Sequence, residues 1–134
     1  MKVKISLLLW MCLVLFCCQS NPYDQGKRIY EAYCASCHME EGQGLKGLYP
    51  PLAKSDYLLD NHDQIACIIR YGLQDTIVVN GKTYEIPMMP ISGINEVQIT
   101  NVINYISNAW GNDAGFTKIT DVERVLSECK ETSE

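Results

Sequence analysis

No stretch of this chain is both apolar and long enough to span a bilayer. The one extended apolar run, Ile5 to Phe16 behind Lys2 and Lys4, falls short of the roughly 20 residues a spanning helix takes. Its charged start and apolar middle read instead as an export signal. Basic charge is also scarce. The 134 residues hold 11 Lys and Arg against 16 Asp and Glu, a net charge of −5, and loss of residues 1–17 takes two lysines and no acid, leaving −7. An acidic surface excludes nucleic acid as a partner and argues against tight contact with anionic lipid, while it suits a protein with a basic docking patch. Histidine occurs only twice, as His38 and His62. Zinc needs four ligands, and Cys67 and Cys129 stand far apart with no knuckle spacing, so no zinc site can be assembled from this set.

What the chain does have is Cys34-Ala35-Ser36-Cys37-His38. Two thiols three residues apart, followed at once by an imidazole, form the attachment sequence for c-type haem. On one helical turn, residues at i and i+3 face the same way. Cys34 and Cys37 therefore reach the two vinyl groups on one porphyrin edge to form thioethers, and His38 is directed toward the iron as its proximal ligand. A redox dithiol would need the motif in a strand-to-helix βαβ setting, which the flanking sequence does not offer.

Export and covalent haem attachment agree, because the resemblance to c-type proteins implies attachment outside the bacterial cytoplasmic membrane. The end of the apolar run, Leu15-Phe16-Cys17-Cys18-Gln19-Ser20, resembles a bacterial lipoprotein signal, with Cys18 as the lipidated residue and Phe16 where such signals usually have a small one. The alternative is ordinary cleavage near Ser20 with a freely soluble product. Of seven cysteines, Cys12 and Cys17 then leave with the signal, Cys18 carries lipid, and Cys34 and Cys37 hold haem. Cys67 and Cys129 remain. In an oxidising compartment they suggest a disulfide stapling the C-terminus to the body, against two unpaired thiols.

Past a polar tether, Asp24 can cap a first helix in which Gly26, Ile29, Tyr30 and Tyr33 recur at helical spacing. After His38 comes a loop with Gly42, Gly44 and Gly47, then Tyr49-Pro50-Pro51-Leu52. With the haem motif, this order resembles the small class I cytochromes c. The resemblance implies that the Pro50 carbonyl accepts the His38 Nδ1 proton and that Leu52 packs on the haem. Ser55 or Asp56 can cap a short turn, and Asp60 or Asn61 opens an amphipathic helix with Ile65, Ile68, Ile69 and Leu73 inward and Gly72 at its end. His62 reads as an exposed residue of its first turn. Asn80-Gly81 between Thr76–Val79 and Lys82–Ile86 is a hairpin signal. It delivers the chain to Pro87-Met88-Met89-Pro90. By resemblance the sixth iron ligand is the methionine before the proline, Met89, with Met88 as the alternative.

Asn95 can cap a further helix whose apolar surface is Val97, Ile99, Val102, Ile103, Tyr105 and Ile106, with Gly111 at its C-terminus. In the resembled family this helix crosses the first. Gly26 and Tyr30 match one side of that crossing, and Val102 and Tyr105 the other. Thr120-Asp121-Val122-Glu123 has capping-box spacing and opens a short helix carrying Val122, Val125 and Leu126. The tail from Glu131 to Glu134 should fray.

These readings divide the chain into a lipoprotein-type signal (1–17), a tether (18–24), a cytochrome c domain (25–112) and a C-terminal extension with a short helix (113–134). The expected fold class is all-α, several helices around one covalent haem c with a small hairpin before the methionine loop. The expected function is one-electron transfer between redox protein partners, without a small-molecule substrate or catalysis, on the periplasmic side of a membrane. Two other functions fit the same motif: a subunit dedicated to one oxidoreductase complex, and a haem sensor or peroxidase with an open sixth site.

Overall fold

The computed structural model describes residues 21–131, so the signal, Cys17, the lipidation expected at Cys18 and residues 132–134 lie outside the described residues. Six helices and one hairpin follow in order. Helix α1 spans Asp24–Tyr33 and buries Gly26 and Tyr30. Its N-cap is Tyr23, not Asp24. No side chain caps the helix; ahead of it Asn21 closes a turn, its Oδ1 accepting from Tyr23 N at 3.0 Å and its carbonyl from Asp24 N at 3.1 Å. Asp24 falls in the first turn instead, where a carboxylate suits the positive end of the helix dipole. At Cys34 the chain bends, and α2, Ala35–His38, is a single turn that ends at Met39 with φ 64°.

The largest packing surface is α1 across α5, Glu96–Asn108. Asn95 and Gln98 close a capping box at the start of α5, with bonds of 2.9 and 3.0 Å. Ile99, Val102, Ile103 and Ile106 are buried at i, i+3, i+4 and i+7. Val97, expected on that face, is 54% exposed because it lies outside this stripe. A Cβ at Gly26 would overlap the Asn101 carbonyl and stand 2.6 Å from Tyr105 Cβ, so glycine is what lets the two helices touch. On α5 the backbone of Asn101 and the side chain of Tyr105 stand nearest Gly26, and Val102 beside them is buried in the core. Tyr30, Tyr105 and Trp110 pack around the same point with ring centroids 5.0 to 5.6 Å apart. Helix α5 ends before Gly111. Ala109 is its C-cap, and Trp110 (φ 54°) and Gly111 (φ 84°) turn the chain. Asn112, buried, then takes up the orphaned Ile106 carbonyl at 2.7 Å.

Between these two helices the chain builds the other side of the molecule. Helix α3, Asp56–Asp60, is capped by Ser55 Oγ, which accepts from Leu58 N at 3.1 Å. Neither Asp60 nor Asn61 caps the next helix. A 3₁₀ turn at His62–Gln64 leads into α4, Ile65–Tyr71, while the Asn61 side chain donates back to Tyr57 O at 3.0 Å. Gly72, at φ 81°, ends α4, so Leu73 lies past the helix. Strands β1 (Ile77–Val79) and β2 (Lys82–Tyr84) form the expected hairpin in the register Ile77 to Tyr84 and Val79 to Lys82. Asn80 and Gly81 both take positive φ, which a twist-matched two-residue turn requires. Asn80 also exchanges hydrogen bonds of 3.1 and 2.7 Å with Asp56, fastening the hairpin tip to α3.

Helix α6, Ile119–Glu131, has 13 residues and is longer than expected. It starts before Thr120, since the Lys118 carbonyl already accepts from Asp121 N and Val122 N. Thr120 is therefore inside the helix and not its cap. Val122 and Leu126 are buried, and α6 lies on both α4 and α5. Cys67 of α4 and Cys129 of α6 are bridged, with Cα atoms 6.2 Å apart. Among the described residues no helix is long and apolar enough to cross a membrane.

Candidate haem site

The fold encloses a cavity of about 790 Å³, within the range for cofactor-sized sites of about 300–1,000 Å³. One wall is the α1–α2 bend, which presents Tyr33, Cys34, Cys37 and His38. The sequence places both thiols there because Cys34, the N-cap of α2, already takes helical backbone angles and its carbonyl accepts from Cys37 N at 3.1 Å, so the i and i+3 side chains share a face. Neither thiol is bridged. Burial, and then the neighbouring Cys37, push the Cys34 thiol up to about 12. The thiol is thus held protonated.

His38 is fixed by the loop that comes after it. Its Nδ1 lies 2.9 Å from Pro50 O, and the carbonyl can only accept, so Nδ1 carries the proton. Nε2 is then the lone-pair nitrogen left for a metal. Burial lowers the imidazole pKa below its ordinary value, with the Pro50 bond opposing; the ring is neutral, the state that ligates. The intervening loop folds tightly to bring Pro50 back. Gly44 N donates to His38 O at 2.9 Å, and Gly42 O accepts from Leu52 N at 2.7 Å and Ala53 N at 2.8 Å. A Cβ on Gly44 would meet the Pro50 carbonyl at 2.6 Å, and one on Gly42 would meet the Trp110 ring at 2.6 Å. Tyr30 reaches the same turn, its hydroxyl donating to Met39 O at 2.6 Å.

Pro50 and Leu52 line the cavity, as do Met88 and Met89 on the downstream loop. Met88 pairs through its backbone with Leu73, at 2.9 Å in each direction, and Ile91 N donates to Ile69 O at 3.1 Å. The methionine loop is therefore fastened on both sides of Met89, to Leu73 just past α4 and to Ile69 within it. Met88 packs against the core, whereas Met89 is 70% exposed. His62 is not among the cavity residues. It is half-buried rather than exposed, with Nε2 3.1 Å from the buried Ser107 Oγ.

Sequence reading missed two groups. Asn112 ties the chain after the Pro50 turn to the end of α5, donating to Leu52 O at 2.9 Å and accepting from Lys54 N at 2.7 Å. A lone Asn past a Trp-Gly step gives no local sign of this. Tyr57, Gln74, Asp75 and Tyr84 form a polar part of the cavity lining. Their only signal was the alternation of Tyr84 with the apolar strand residues.

The donors present fit haem c. Paired thiols, an imidazole with Nε2 uncommitted and two thioethers all face one largely apolar cavity, and a soft sulfur donor suits iron in such a site. Comparison with known proteins agrees. The cytochrome c family model matches residues 23–110. Cytochrome c-552 of Thermus thermophilus is 36% identical over 91 residues, covering 65% of this chain and 69% of its own length. The cytochrome c subunit of the alcohol dehydrogenase (quinone) of Gluconobacter oxydans is 27% identical over 107 residues, 76% of this chain but 22% of that protein. The fructose dehydrogenase cytochrome subunit of Gluconobacter japonicus is 33% identical over 110 residues, 75% of this chain and 21% of that subunit. With the attachment turn, the cavity and these matches converging, the chain belongs to the cytochrome c family, as a class I mono-haem member that binds one haem c covalently and transfers electrons.

Proposed function

We propose that the iron is held between His38 Nε2 and Met89 Sδ and that the protein exchanges single electrons with redox protein partners without acting as an enzyme. The observation that carries this reading is the 2.9 Å contact between His38 Nδ1 and Pro50 O, which commits one imidazole nitrogen and points the other at the cavity. The haem, when bound, supplies the one-electron Fe(II)/Fe(III) couple. The protein's part is to attach it through Cys34 and Cys37, exclude water with Leu52 and its apolar neighbours, and close both axial positions. Two strong ligands leave no site for a substrate on iron, which disfavours a sensor or peroxidase. Met89 is preferred to Met88 because Met88 packs against the core while Met89 precedes Pro90 at the centre of the fastened loop.

The named relatives that are subunits of dehydrogenases support an oxidoreductase as one partner, and a dedicated subunit of such a complex is the second reading. The sequence supports export, with residues 1–17 as signal, residues 18–24 as tether and a lipid anchor at Cys18 on the periplasmic side; mass analysis of membrane-extracted protein should find an acylated Cys18. The central test is spectroscopic. A pyridine haemochrome of the purified protein should show the c-type thioether signature. Met89→Ala should shift the ferric spectrum and Met88→Ala should leave it. Unchanged spectra in both variants would remove the His/Met assignment.

A further inference from the structure

The charged groups of a bound haem need a destination, and the cavity offers an unusual one. Vinyl and carboxylate substituents stand on opposite edges of the porphyrin, so attachment at Cys34 and Cys37 sends the two carboxylates away from the α1–α2 wall. Away from that wall the polar side chains of the lining are Tyr49, Ser55, Tyr57, Gln74, Asp75, Tyr84 and Ser92, and Ser55 is already engaged as the cap of α3. The side-chain donors of Tyr57, Gln74 and Tyr84 bond no other described residue. Among the described residues no lysine or arginine lines the cavity; its titratable side chains are Asp75, His38, the two thiols and the tyrosines, Tyr33 and Tyr49 included. Lys82 shares the face of the hairpin that carries Tyr84 but stands exposed at the turn, outside the lining.

We propose that Tyr57, Gln74 and Tyr84 donate hydrogen bonds to the haem carboxylates, and that Asp75, the one carboxylate of the lining, holds down the reduction potential of this carrier. The sign comes from charge. The ferric centre carries one more positive charge than the ferrous, so a fixed negative group nearby stabilises the oxidised state more. Burial first, and then the neighbouring Asp75 carboxylate, raise the Tyr57 pKa above its ordinary value, so Asp75 already acts on this wall. Asp75 is exposed, so solvent and salt weaken its field and the effect is modest. Removing the charge should favour the reduced form about threefold, or about 28 mV at 59 mV per decade for one electron.

This inference rests on the haem occupying the cavity as proposed above. The test is spectroelectrochemical titration of the haem-loaded protein at pH 7 and fixed ionic strength, for Asp75→Asn, Lys82→Gln and, as a control on α6, Asp121→Asn. Asp75→Asn should raise the midpoint by about the amount stated, with the control unchanged and Lys82→Gln moving less than Asp75→Asn. An unchanged or lowered midpoint in Asp75→Asn overturns the proposal. So does an equal rise in Asp121→Asn, which would mean diffuse surface charge, or a larger fall in Lys82→Gln, which would make a cation the receiver. Absence of the haemochrome signature would instead overturn the site reading, before any potential is measured.

Discussion

At Gly26 the identity of one residue sets the distance between two helices. Adding a methyl group there drives a Cβ into the Asn101 carbonyl, and backbone cannot rotate away as a flexible side chain can. Overpacking of this kind costs about 3 kcal/mol, while alanine returns about 1 kcal/mol of helix propensity. Gly26→Ala should therefore lose about 2 kcal/mol, read as a lower urea midpoint with an unchanged slope. Residues of this sort were legible in the sequence where their partners are near in the chain or where a spacing is chemically demanding. Cys34, Cys37 and His38 are of that kind, and Pro50, 12 residues from His38 in its hydrogen bond, was reached through resemblance. Asn112 was not, because its partners at Leu52 and Lys54 lie 60 and 58 residues away. Nor was His62, whose surroundings are set by Ser107 on another helix.

At the scale of elements, the hairpin was readable because Asn80-Gly81 writes its turn into two residues. Helix α6 was readable in its apolar stripe but not in its start, since backbone bonds to Lys118, and no side-chain signal, begin it. The 3₁₀ turn before α4 was hidden for a similar reason: the amphipathic pattern of 65–69 says nothing about how the chain enters it. Helix α6 also carries the longest covalent constraint. The Cys67–Cys129 bridge closes a loop with a separation of 62 residues, which the chain-entropy model values at about 4 kcal/mol. Cys129→Ser should lower stability by about that amount, and the Cys67→Ser, Cys129→Ser double variant by no more than either single one. Denaturant melts of the three proteins make the cycle, and additive losses would show that the two residues act separately.

For the whole molecule, the aromatic centre gives a pH boundary. Burial raises the pKa of Tyr30, with Tyr105 and Glu41 adding to it, and raises Tyr105 in the same direction. A phenol whose folded pKa exceeds its unfolded value contributes stability that is complete below the unfolded value of about 10. As pH rises above it, the unfolded chain releases a proton the folded one retains, and stability falls. Unfolding free energy should be level from about pH 7 to 9 and decline beyond about pH 10. In Tyr30→Phe the decline should be shallower, while the lost bond to Met39 O lowers the plateau by about 1 kcal/mol. Titration by circular dichroism at fixed denaturant reads both.

The methionine loop is pinned at Leu73–Met88 and at Ile69–Ile91, and this has a kinetic meaning. In the His38/Met89 arrangement proposed above, the backbone that carries the methionine is held to Leu73 and Ile69 and the imidazole to Pro50, so the main chain on both sides of the iron is restrained when its charge changes. Little nuclear rearrangement then accompanies the passage of an electron. The rate of that passage should then follow how closely a partner approaches, since the pinned main chain contributes little motion of its own.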